Sequence, residues 1–192
     1  MPASRPEVLN FLETRRSRPA KTLAAPAPDR DSLRKLLTVA ARSPDHGKLE
    51  PWRFLVLEKE ALERLASTLP ARGEELGIEP EKIAKSVDEY SRSLLAVAVV
   101  ACPKPSEKIP EIEQTLSAGA VCMQLLNACL AAGWGANWLT GWACHDRDWR
   151  ERHLGLGPGE WIAGIIHVGS ETSAPPDRPR PDLDAITEWV AS

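Results

Sequence analysis

The chain has 192 residues and a mass of 21.0 kDa, and its 24 Lys+Arg against 27 Asp+Glu leave a formal charge of -3. That balance excludes the overall positive field by which proteins hold nucleic acid or anionic lipid, so any anion site must be local. The length predicts one domain over residues 1–192 with a sizeable core, its last part, 170–192, being a Pro-rich tail.

The N-terminal stretch MPASRPEVLNFLETRRSR lacks the continuous apolar segment of a signal peptide, and the longest strongly apolar run, LLAVAVVAC at 94–102, is too short to cross a bilayer. These features predict a cytoplasmic protein without membrane contact. Residues 6–16 carry Val8, Leu9, Phe11 and Leu12 on one helical stripe, with Pro6 in the first turn. Asp29 to Ser32 then read as the start of a second helix, with Leu33, Leu36, Leu37, Ala40 and Ala41 at helical spacing and Ser43-Pro44 closing it.

Residues 52–58, WRFLVLE, alternate as a strand does, and EKEALERLASTL returns to the helical period. Gly73, Gly77 and Pro80 predict a weakly structured insertion over 70–80, before a polar helix at 81–92. LLAVAVVAC is apolar on both faces and belongs in the middle of a covered sheet. KPSEKIPEIEQ reads as loop, and SAGAVCMQLLNACLAAG as a long buried helix ending at Gly133. Ala136–Trp142 and 161–169 read as further strands, with a short capped helix from Asp146 to His153 between them.

Cys102, Cys122, Cys129 and Cys144 lie in apolar contexts without a CxxC pair, the pattern of reduced, buried thiols, and no ligand spacing suggests a metal site. No Walker or GxGxxG loop is present. Four polar or aromatic clusters interrupt the layered pattern. Arg15-Arg16-Ser17, the corner around Arg42 and His46, and the pair Arg178 and Arg180 together have the chemistry to surround one phosphate, because guanidinium groups bind its oxygens in pairs. The fourth, GWGANWLTGWACHDRDW, holds four of the seven tryptophans and offers stacking area beside glycines that permit close approach.

The order of these clusters, RRS, then ARSPDHGKLEPWRF, then SAGAVCMQLLNACLAAGWGANWLTG, then IIHVG, closely resembles the small, single-domain branch of the nitroreductase family over roughly residues 5–170. Periodicity alone would suggest an α/β fold; the resemblance implies an α+β fold, helices on a mixed, largely antiparallel sheet, and a homodimer with FMN at the subunit interface. It implies an oxidoreductase passing hydride from NAD(P)H through flavin N5 to nitroaromatics, quinones or similar small electron-poor acceptors, so that no protein residue acts as catalytic nucleophile. By the same resemblance Arg15, Arg16, Ser17, Arg42, His46, Trp138, Leu139 and Thr140 contact the flavin, with Arg178 and Arg180 as a further basic pair for its phosphate. Ala128, Cys129, Leu130, Ala131, Ala132 and Gly133 match the stretch associated with the nicotinamide nucleotide.

Where larger members of that family carry an Asn-x-Gln-Pro-Trp run, this chain has Lys48-Leu49-Glu50-Pro51-Trp52, a cation and an acid in place of two amides. Arg18, Lys48 and His46 are the local candidates to stabilise negative charge on a reduced flavin. Two alternatives accompany this reading. One is a flavin enzyme of another type, such as a dehalogenase, enone reductase or flavin reductase; the other is a redox-silent ligand-binding module on the same scaffold.

Overall fold

In the computed structural model, which describes residues 3–191, the apolar run at 94–102 sits at the centre of a five-stranded sheet. Met1, Pro2 and Ser192, included in the expected single domain, lie outside the described residues. The strands are β1 (Leu23–Ala24), β2 (Trp52–Glu58), β3 (Leu95–Ala101), β4 (Gly135–Leu139) and β5 (Trp161–Glu171). β3 pairs with β2 on one side and β5 on the other, and both β4 and β1 pair with β5, every pairing being antiparallel. The sheet therefore stands at the antiparallel end of the expected mixed arrangement, and the fold is α+β.

The helices are α1 (Pro6–Thr14), α2 (Arg30–Ala40), α3 (Lys59–Glu75), α4 (Pro80–Arg92), α5 (Glu111–Ala131), α6 (Trp142–His145), α7 (Arg147–Leu154) and α8 (Leu183–Ile186). Every residue of β3 is buried, and successive side chains feed two separate cores. Leu95, Val97 and Val99 pack with α2 and α5 on one face. Ala96, Ala98 and Val100 pack with α3, Tyr90, Cys144 and Trp149 on the other. Each large aliphatic side chain removed from water here contributes roughly 1.5–3 kcal/mol, which is what holds the layers together. At the start of α2 the Asp29 carboxylate accepts from the Ser32 N–H at 2.8 Å, the cap read from the sequence.

Several boundaries differ from the sequence expectation: α1 ends at Thr14 rather than at residue 16, and the strand expected over Ala136–Trp142 stops at Leu139, with Trp142 opening α6. The predicted insertion over 70–80 is instead the last turns of α3, which runs through Pro70 to Glu75. Tertiary packing overrides the local signals: a Cβ on Gly73 would lie 2.6 Å from the Ile83 side chain, so glycine is what lets α3 and α4 approach. Gly77, at φ +66°, then ends the turn. α5 begins at Glu111, inside the predicted loop, and it is not covered all round, for Ile112, Leu116 and Met123 are exposed along one stripe. All four cysteines are free, three of them buried, while Cys102 is half-buried and donates to Glu160 Oε1 at 3.0 Å. Among the described residues no helix is long and apolar enough to cross a membrane.

His167 of β5 is a fully buried polar residue, sharing a hydrogen bond of 2.8 Å with Ser93 Oγ and lying edge-on to Tyr90 at 6.3 Å. Burial holds the imidazole neutral by pressing its pKa from 6.5 to about 4. The unfolded chain binds the proton first, so this contribution is complete above pH 6.5 and is lost as pH falls toward 4. We expect wild type to lose about 2 to 3 kcal/mol more unfolding free energy than His167→Gln between pH 7.5 and 4.5. Urea denaturation at the two pH values checks this, and equal losses would contradict it.

Candidate cofactor site

Helix α1 stops at Thr14, and Arg15 leaves it in extended backbone at φ -58°, ψ 141°. The chain beyond is stitched to the sheet: the Arg18 N–H donates to Ala136 O of β4 at 2.8 Å, and the Arg18 guanidinium pairs with Glu171 of β5 at 2.7 Å. This fixes Arg15, Arg16 and Ser17 along one wall of a cleft of about 530 Å3. The tail after β5 forms the other wall, through Pro175, Pro176, Arg178 and Arg180, and Asn137 of β4 lies at its base. The two walls are tied together, since Arg16 donates to Pro176 O and Arg180 Nη2 donates to Glu13 O at 3.1 Å.

Four guanidinium groups line this cleft, and their charges oppose one another. Burial, together with the neighbouring charges of Arg16, Arg180 and Arg18, lowers the pKa of Arg15 below the ordinary guanidinium value. Arg15 Nη2 donates to Ser17 Oγ at 3.1 Å, but its Nε is buried with no hydrogen-bond partner among the described residues. A buried donor left unmade costs roughly 1–3 kcal/mol, and more for a charged group, so the cluster is poised for an anion with several acceptor oxygens. A depression of equal volume between α2 and the outer strand β2 is lined by Arg30, Arg34, Leu37 and Val56 and includes none of the sequence-predicted site residues.

Arg42 and His46 lie elsewhere in the chain. Arg42 borders a second depression of about 350 Å3 with Asp45, Lys48, Glu50 and Trp52. His46 is exposed and its Nδ1 lies 2.6 Å from Glu113 Oε2. From the sheet register, Asn137 aligns through His167 and Ala96 with Leu57, five residues along β2 from Trp52. Three strand spacings across and five residues along separate the two regions by roughly 20 Å. Within one chain, therefore, Arg15, Arg16, Ser17, Arg178 and Arg180 come together, and Arg42 and His46 do not join them.

The corner carrying Lys48 and Glu50 is strained. Lys48 at φ 53° and Glu50 at φ 49° both adopt the left-handed region, which costs a non-glycine residue roughly 1–2 kcal/mol. A short bond from the Glu50 N–H to Asp45 Oδ2, 2.6 Å, holds the turn against that cost. Strain of this kind concentrates at functional positions.

On β4, Trp138 packs into the core shared with α5, and its indole lies directly over Gly164, where a Cβ would come within 2.1 Å of Nε1. Leu139 is half-buried and Thr140 is exposed just beyond the strand end. The segment 128–133 closes α5: Gly133, at φ +84°, donates to Leu130 O at 3.1 Å and Trp134 N–H to Cys129 O at 3.0 Å, a Schellman cap. Cys129 is wholly buried and Ala128 nearly so, Leu130 is half-buried, and Ala131, Ala132 and Gly133 reach the surface. Asn137 and Asp177 are neighbours of the cleft that sequence reasoning missed. Asn137 lay within the quoted GANWLTG run, while nothing local marks Asp177.

An antiparallel sheet covered by helices on both faces, with an arginine cleft between the N-terminal turn and the tail, defines the class. The chain belongs to the nitroreductase family, whose sequence profile matches residues 12–170. Among its relatives is a Haemophilus influenzae protein provisionally named NAD(P)H nitroreductase, 38% identical over 165 residues, which cover 85% of this chain and 88% of that one. A protein of Escherichia coli K12 with the same provisional name is 33% identical over 164 residues, again 85% and 88% of the two chains. In fold, the chain is similar to a nitroreductase-like family protein from Bacillus cereus, with a TM-score of 0.81, 21% identity and full coverage of both chains. It is similar also to a nitroreductase-type protein of Desulfovibrio desulfuricans solved in complex with FMN, at TM-score 0.75 and 19% identity over 98% of this chain and 99% of that one.

Proposed function

We propose that the chain is an NAD(P)H-dependent FMN oxidoreductase whose arginine cleft holds the flavin phosphate. One observation carries this reading: Arg15, half-buried among like charges, keeps a buried Nε without a partner. The donor set fits a phosphomonoester, since guanidinium forks from Arg15, Arg16, Arg178 and Arg180 and the Ser17 hydroxyl offer directed hydrogen bonds to three oxygens and a double negative charge. Family membership, the names of the relatives and the FMN complex of a similarly folded protein support the same cofactor and donor.

When bound, FMN supplies the redox chemistry, taking hydride from NAD(P)H and delivering it to an electron-poor acceptor such as a nitroaromatic or a quinone. The residues of this chain bind and orient it. Leu139 and Thr140, leaving β4 beside Asn137, would contact the flavin, while Trp138, wedged over Gly164, would stiffen the strand that presents them. Ala131, Ala132 and Gly133, which reach the surface, would meet the nicotinamide nucleotide, with Ala128, Cys129 and Leu130 supporting them from within.

Arg42 and His46, roughly 20 Å from the cleft in their own chain, would reach the same flavin from a second subunit. Three features favour a homodimer. α1 buries none of its residues and exposes Val8, Leu9 and Leu12. α5 exposes Ile112, Leu116 and Met123 along one stripe. Asn127, on that stripe, has a buried Oδ1 with no partner among the described residues. A second copy would cover the apolar surface and can satisfy the amide.

Titration of the flavin-free protein with FMN, followed by flavin fluorescence, tests the phosphate assignment. Arg15→Ala or Arg16→Ala should weaken binding by about 1.5 to 3 kcal/mol, the scale of a hydrogen bond to a charged group; unchanged affinity in both refutes it. Sedimentation at micromolar concentration should give a dimer, and a monomer would remove the shared site.

A further inference from the structure

We propose that Asp177 is a built-in counter-anion of the arginine cleft, a carboxylate that occupies the phosphate's place until phosphate displaces it. This rests on the phosphate reading of the cleft and adds a competitor to it. Asp177 Oδ1 lies 3.3 Å from Arg16 Nη1 and 3.3 Å from Arg180 Nη2, so one oxygen bridges guanidiniums from the two opposite walls. The N–H of Arg178 donates to the same oxygen at 2.8 Å, completing a small cradle around it. These are the kinds of donor that a phosphate oxygen would engage in this cleft.

The geometry suits a displaceable group rather than a structural one. The Asp177 side chain is 74% exposed, so it leaves for water at little cost. It sits on the segment PPDRPRP, in which prolines at 175, 176, 179 and 181 restrict the backbone and hold the carboxylate near the cleft. The segment belongs to no helix or strand, so withdrawing the carboxylate breaks no ladder of the sheet. The Arg178 N–H first, then the Arg16 hydrogen bond and the charges of Arg180 and Arg16, keep its carboxyl below the usual 3.8, so it is ionised wherever the protein works.

Two consequences follow from a tethered anion in an anion site. Empty of cofactor, the arginines are partly neutralised and stay close together. Against cofactor, the carboxylate competes at a high effective concentration and lowers affinity. Removing its charge should therefore strengthen phosphate binding, the reverse of what a supporting residue would do.

The test uses full-length, flavin-free protein titrated with FMN, and separately with inorganic phosphate as a competitor. Asp177→Asn keeps the shape and the acceptor for Arg178 but removes the charge, and Asp177→Ala removes both. The FMN dissociation constant should fall three- to tenfold in Asp177→Asn, and inorganic phosphate should compete at correspondingly lower concentration. Unchanged or weaker FMN binding in both variants, with Arg16→Ala still impaired, overturns the competitor and leaves the phosphate cleft standing. FMN binding that ignores Arg15→Ala and Arg16→Ala as well, with no competition from inorganic phosphate, overturns the cleft and Asp177's role with it.

Discussion

Mutual repulsion among guanidinium groups is the constraint on which this site depends. Arg15, Arg16, Arg178 and Arg180 line one cleft although nothing in their own charges favours it. The fold holds them there through backbone and ion-pair ties: Arg18 N–H to Ala136 O at 2.8 Å, the Arg18–Glu171 pair at 2.7 Å and Arg180 to Glu13 O at 3.1 Å. Each tie ends on β4, β5 or the end of α1. The rigidity of the two packed cores is thereby turned into electrostatic preorganisation, an arrangement that pairs best once a polyanion enters.

The protomer also leaves apolar surface and polar capacity unused. α1 has no buried residue, α5 presents an open stripe, and Asn127 keeps an unpaired buried oxygen. The strained corner at Lys48 and Glu50 faces a depression of its own, far from the arginine cleft. The proposed homodimer would account for these loose ends together, since two copies would bury the helices against each other and bring one chain's corner to the other's cleft.

Much of the fold was legible in the sequence because its strongest signals are local. The doubly apolar β3 run, the Asp29 cap and the period of α2 all appear where their residue patterns place them. The extension of α3 was hidden because Pro70 and Gly73 argue locally for a break, and only the Ile83 side chain filling the space above Gly73 reverses that. Within the site, the RRS turn and the Arg178 and Arg180 pair stood out in the sequence as groups with the chemistry to hold a phosphate. That they form one cleft depends on contacts between residues more than 150 positions apart. Asp177 carried no signal, since a lone acid in a Pro-rich tail is ordinary until its carboxylate is seen between two arginines.

The measurement that most directly tests the proposed phosphate role of the arginine cleft compares FMN with riboflavin, which differs only in lacking that group. Loss of two or more charge-assisted hydrogen bonds predicts that riboflavin binds at least about a hundredfold more weakly. Equal affinity for the two flavins would show that the arginine cleft serves some other anion.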